Sequence, residues 1–206
     1  MRIKTYNPKD FELYQKIGIT ALLVVLTGVF GWIYEFIFYF FNGGMTDFFL
    51  QGGNFLPWIN IYATGSLLIL FATRRVRNKP VAIFLISILV TGILEYISGW
   101  MIYNSMNGLR LWDYDAEILN FGNIDGFICL RSVLFFGFSA LFLIYVLLPF
   151  LITLSKTLKK RTFLTLSLIL CGIFLADELY NLIAAHILNI PSAVEVYKSL
   201  GFKYVE

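Results

Sequence analysis

The chain has 206 residues, 59% of them hydrophobic and only 14% charged, with 16 Lys and Arg against 13 Asp and Glu and a net charge of +3. Its mean hydropathy is +0.77. A soluble domain carries roughly 25% charged residues, so this composition excludes an ordinary water-soluble fold. The basic residues sit in short stretches beside apolar runs, which excludes a nucleic-acid-binding face and suits orientation in a membrane.

Residues 1–16 form a leader in which Arg2, Lys4, Lys9 and Lys16 alternate with Tyr6, Phe11, Leu13 and Tyr14. It reads as a cytoplasmic amphipathic segment lying on the inner surface. Apolar runs of about 20 residues cross a bilayer core. Five such runs are predicted, at residues 17–41, 55–73, 81–103, 129–154 and 163–188, the second being the shortest. The expected fold is an all-α, polytopic membrane bundle over residues 17–188, with outside loops at 42–54 and 104–128. A tail, residues 189–206, follows it.

Orientation follows from Lys and Arg. The leader, the link 74–79 and the link 156–161 are basic, whereas 42–54 has no Lys or Arg and 104–128 has Arg110 against Asp113, Asp115, Glu117 and Asp125. The positive-inside rule places the N-terminus inside and the C-terminus outside, in a multi-pass membrane protein. Cys129 and Cys171 are too few for a disulfide framework, and no Cys/His cluster suggests zinc. The residues leave open whether the carboxylates hold another metal and which cofactor, if any, is bound.

The first four runs read as one parallel hairpin written twice. Leu26-Thr27-Gly28 parallels Val90-Thr91-Gly92; Gly31, Trp32 and Glu35 follow in one copy, and Glu95, Gly99 and Trp100 in the other. Transporter folds often contain such repeats. Recurrence of helix-packing residues gives the same pattern without duplication.

Four acids lie inside apolar runs: Glu35, Glu95, Asp177 and Glu178. A charge at a helix centre in lipid costs about 3 kcal/mol on insertion scales, so such groups face protein and mark function by default. Glu35 shares its face with Thr27, Gly28, Gly31 and Trp32; Glu95 shares its face with Thr91, Gly92, Ser98 and Gly99. Small residues let helices approach closely, so both carboxylates are expected to point into the bundle. All four either bind a ligand in an outward-facing acidic cavity or simply hold helices together. Arg131, at the start of the fourth run, is expected to pair with an acid or bind an anionic group. Trp112, Asp113 and Asn120, in the longest outside loop, either cap that cavity or anchor the loop at the interface.

The run Leu94-Glu95-Tyr96-Ile97-Ser98-Gly99-Trp100, then Trp112-Asp113-Tyr114, Asn120, Gly122, Gly126-Phe127-Ile128-Cys129-Leu130 and Ser132, resembles the putative type IV ABC-transporter permease family (CmpB-like) of bacterial membrane proteins. Gly31-Trp32-Ile33-Tyr34-Glu35 and Pro149 fit it too, and the likeness covers roughly residues 28–150. In this sequence Asp125-Gly126 stands where that family usually has Gly-Arg. The resemblance implies a permease working with a cytosolic ATPase, for the sequence itself has no phosphate-binding glycine loop.

The expected function is that of a transporter or permease subunit binding a cation or cationic small molecule at Glu35, Glu95, Asp177 and Glu178, with Trp112 and Asp113 as a cap. An integral-membrane enzyme acting on a lipid or envelope precursor stands beside it, with the same carboxylates as acid and base or as metal ligands and Arg131 binding a phosphate. A structural or regulatory subunit is the third reading. A chain of this size makes a thin bundle, which points to a homodimer in the bilayer.

Overall fold

The computed structural model describes residues 11–41, 52–106, 108–186, 188 and 190–202. Most of the leader, most of the first outside loop with Asp47, and the end of the tail lie outside these. The helices are α1 (Leu13–Phe41), α2 (Asn60–Ala72), α3 (Pro80–Ser105), α4 (Leu130–Thr157), α5 (Lys160–His186) and the short α6 (Ala193–Ser199). No strand occurs among the described residues.

Helix length separates these elements. At about 1.5 Å rise per residue, the 26 to 29 residues of α1, α3, α4 and α5 exceed a 30 Å hydrocarbon core, whereas the 13 residues of α2 reach about 20 Å. Among the described residues, four helices are therefore long and apolar enough to cross a membrane, against five expected runs. The difference lies in residues 52–59. Gly52 and Gly53 take left-handed φ of 85° and 76°, and Pro57 withholds a backbone donor, so the helix begins only at Asn60.

The side-chain pattern is inverted relative to a soluble helix. On α3, Leu85, Leu89, Ile93 and Ile97 form an exposed stripe at four-residue spacing, while Ser87, Thr91, Gly92, Glu95 and Gly99 are buried. In water that stripe would drive aggregation. Against lipid tails it is neutral, and the small residues supply close helix contact instead.

The described chain divides into two compact units. The first comprises residues 65–150, where α3 packs on the first half of α4. A Cβ on Gly92 would lie 3.2 Å from Val133, and one on Gly137 would lie 2.7 Å from Phe84, so both crossings depend on glycine. Pro80 opens α3 at its first turn, where its missing N–H is no loss. Midway along α4 the backbone widens to a π turn at Leu143–Leu147, in which Leu148 N–H reaches back to Leu143 O. Pro149 follows at once, and the wider turn accommodates the donor it lacks.

The second unit comprises the described residues before 65 and after 150, where α1 packs on α5. Its core gathers Val25, Trp58, Ala63 and Phe174, with the Trp58 and Phe174 rings edge to face at 5.2 Å. Gln15 donates to Ser155 Oγ at 3.1 Å across that unit. The tail contains α6, which Ser192 and Glu195 cap reciprocally.

Candidate functional site

In the first unit, Glu95 sits on the small-residue face of α3 and is only 4% exposed. Its Oε1 accepts the Tyr114 hydroxyl at 2.5 Å, and its Oε2 lies 2.8 Å from Ser132 Oγ on the first turn of α4. Ser132 is placed by the helix start itself, since its Oγ also accepts Cys129 N–H at 3.3 Å. Burial pushes the Tyr114 phenol well above its usual range, and the Glu95 charge pushes it further the same way. Tyr114 therefore stays a protonated donor. Two hydroxyls thus satisfy a carboxylate that lipid could not.

Tyr114 belongs to a loop, residues 106–129, that folds on itself. Tyr114 N–H donates to Gly126 O, Leu130 N–H to Phe121 O, and Ile124 pairs with Ile128 in an isolated bridge. Trp112 Nε1 donates to Phe127 O at 2.9 Å, and Asn120 Nδ2 to Tyr114 O at 3.0 Å. Arg131 does pair with an acid, Glu117 of this loop, and its guanidinium lies over the Tyr114 ring at 5.4 Å. The loop is thereby tied to α3 through Tyr114 and to α4 through Glu117.

Beside this lock, at the Ser105 end of α3, lies an open groove of about 460 Å³. Its wall is formed by the rings of Tyr96, Trp100, Tyr103 and Phe127, and its rim by Asp115 and Asp125. Asp125 Oδ2 accepts the Tyr96 hydroxyl at 2.9 Å. Arg110 also lines the groove, with NH1 3.0 Å from Asp113 Oδ1 and 3.6 Å from Asp115 Oδ2.

In the second unit, Glu35 Oε1 accepts the Tyr62 hydroxyl at 3.0 Å. Glu35 and Glu95 thus each accept a tyrosine hydroxyl from the segment that follows their helix. Asp177 is 7% exposed and works as a cap for the non-helical approach to α2. Its Oδ1 accepts Phe55 N–H and its Oδ2 accepts Leu56 N–H, both at 3.0 Å. Glu178 Oε1 accepts Asn54 Nδ2 at 3.0 Å, and Asn181 Nδ2 lies 3.0 Å from Asp177 Oδ1 and 3.2 Å from Asn54 Oδ1. The backbone of 52–59 departs from helix inside an apolar fold, and these side chains take up the donors it frees.

The sequence-predicted residues are therefore distributed. Glu95, Trp112, Asp113, Asn120 and Arg131 belong to the first unit; Glu35, Asp177 and Glu178 belong to the second. Sequence reasoning passed over Tyr114, Ser132 and Glu117 as functional groups, together with Asn54, Asn181 and Tyr62. Their one signal was adjacency: Tyr114 follows Trp112-Asp113, and Asn54 follows the Gly52-Gly53 turn. Among the described residues no cluster of three or more His, Cys, Asp or Glu side chains could hold a metal ion.

No curated protein and no solved structure matches the chain. A family does match, over residues 22–182, and its description is "Putative ABC-transporter type IV". The matched stretch runs past residues 28–150, where the resemblance rests, and takes in Asp177 and Glu178. By that match, across most of its length and all four long apolar helices, the chain belongs to this ABC-transporter type IV family of membrane proteins.

Proposed function

We propose that the chain is the membrane-embedded subunit of an ABC-type transport assembly in a bacterial cytoplasmic membrane, and that it engages a cation or cationic small molecule at the junction of α3 and the 106–129 loop. The observation that carries this reading is the groove lined by four aromatic rings and edged by Asp115 and Asp125. Ring faces attract cations by about 0.5–2 kcal/mol each, depending on desolvation. Carboxylates beside them add charge complementarity and repel anions.

Of the remaining acids, Glu95 serves that groove indirectly. Glu95 holds the loop through Tyr114, so a shift of α3 would be felt at the groove wall. Asp177 and Glu178 hold the approach to α2 in the other unit. The basic link at 74–79, at the opposite end of α3, supports placing the groove on the outer face. The sequence holds no phosphate-binding glycine loop, so a separate cytosolic ATPase supplies hydrolysis in this reading.

Purification from native membranes in mild detergent tests it. The expected result is an ATP-hydrolysing subunit that co-purifies, with hydrolysis stimulated by cationic solutes and the stimulation reduced in Asp125→Asn. Absence of any ATPase, or hydrolysis indifferent to every cation offered, would overturn the proposal.

A further inference from the structure

The groove already holds a cation of the chain's own. The Arg110 guanidinium lies over the Phe127 ring at 4.9 Å and over the Tyr103 ring at 5.2 Å. Its NH1 donates to Asp113 Oδ1 and to the Asp125 carbonyl, both at 3.0 Å. Gly126 makes room for it: a Cβ there would meet Arg110 NH1, and would lie 2.8 Å from both Asp113 Oδ1 and Asp115 Oδ2. Gly126 also takes a left-handed φ of 73°, so the backbone is shaped around that seat.

Such a seat has the chemistry of a guanidinium receptor. Two ring faces, two carboxylates and a backbone carbonyl surround a planar group with several fixed donors. The groove also extends past Arg110 along Tyr96 and the half-exposed Trp100. Two carboxylates, those of Asp113 and Asp115, face this one guanidinium, and the Asp125 carboxylate adds a third negative charge at the groove, so the site keeps an excess of negative charge with Arg110 in place. The Arg110 side chain is 26% exposed, and Asp115 is 59% exposed, so the occupant can leave towards solvent.

The geometry points to a binding site for a guanidinium- or amidinium-bearing small molecule, in which Arg110 is a resident occupant that the incoming group displaces. This rests on the cationic-solute reading above and narrows it to one chemical class. An internal occupant lowers apparent affinity by the fraction of time it leaves the seat open. Removing it therefore tightens binding, which is the opposite of what losing an ordinary contact residue does.

Titration of methylguanidinium chloride into the full chain in lipid nanodiscs, read calorimetrically, tests the inference. Wild type is expected to bind, Arg110→Gln to bind about tenfold more tightly, as for a seat open one-tenth of the time, and Arg110→Gln with Asp115→Asn to lose the gain. Tetramethylammonium, which cannot donate hydrogen bonds, is expected to bind more weakly than methylguanidinium to Arg110→Gln. If Arg110→Gln lowers the melting temperature of the protein, Arg110→Lys takes its place, since it keeps the charge and loses the planar fork; its affinity is expected between the two. Equal or weaker binding in both variants, or no binding in any, overturns the inference. Binding without ATP-coupled movement would sink the transport reading and leave this site standing. Movement of another cation with no guanidinium binding would do the reverse.

Discussion

The Tyr114 hydroxyl lies 2.5 Å from Glu95 Oε1, so a loop residue closes on a carboxylate buried in the middle of an apolar helix. Ser132 completes the arrangement from the first turn of α4. This is the point at which α3, α4 and the loop between them become one object. Hydrogen bonds to a charged group contribute about 1.5–3 kcal/mol in soluble proteins, but measured couplings within membranes average about 0.6 and reach about 1.7. A double-mutant cycle of Glu95→Gln and Tyr114→Phe, followed by reversible unfolding in detergent, is expected to give a coupling near 1 kcal/mol. Strict additivity would separate the two residues.

The same contact predicts a pH dependence with a definite sign. The folded-state pKa of Tyr114 is raised, first by burial and then by the Glu95 charge. A raised pKa means that its contribution is fully present below the ordinary phenol value of about 10 and is lost as pH rises beyond it. Wild type should therefore lose stability in strong alkali as Tyr114 ionises. Tyr114→Phe should flatten that alkaline slope, and an unchanged slope would contradict the assignment.

Asp177 supplies a second test, in the other unit. Its two oxygens accept consecutive backbone donors at Phe55 and Leu56. Asp177→Ala strands both, at about 1–3 kcal/mol for each unsatisfied buried donor. Asp177→Asn keeps one acceptor and should lose roughly half as much. Equal melting temperatures for wild type and Asp177→Ala would show that water reaches these donors instead.

Glycine substitutions offer an internally controlled comparison. A Cβ on Gly99 would lie 2.9 Å from the Phe127 ring, whereas one on Gly172 would meet nothing within 4 Å. Gly99→Ala is expected to destabilise by about 1–3 kcal/mol through overpacking. Gly172→Ala is expected to be neutral or to stabilise by about 0.5–1 kcal/mol through helix propensity. The two variants carry the same chemical change, so a similar effect from both would refute the packing account.

How much of this the sequence disclosed depends on the range of each interaction. The four long helices were legible because length and hydropathy are local. The inward aim of Glu95 was legible too, from Thr91, Gly92 and Gly99 at helical spacing. Its partners were not, since Tyr114 and Ser132 lie 19 and 37 residues away and reach it only through loop closure. Residues 55–73 were read as one apolar run, although the Gly52-Gly53 turn and Pro57 shorten the helix to Asn60–Ala72. That departure from helix is possible only because Asp177, 121 residues on from Leu56, caps the freed backbone. Trp112 and Asp113 were singled out in the loop, but Trp112 bonds the Phe127 carbonyl, Asp113 holds Arg110, and their neighbour Tyr114 reaches the helix.

The most direct test of the account is the melting temperature of the chain in nanodiscs with methylguanidinium, tetramethylammonium, magnesium and phosphate, measured beside Asp125→Asn. Binding to the folded state stabilises by mass action, by about 2.7 kcal/mol at a hundredfold excess over Kd. The account predicts stabilisation by the organic cations, strongest for methylguanidinium, none by phosphate, and loss of most of the effect in Asp125→Asn. Stabilisation by phosphate alone, or by no solute at all, would contradict it.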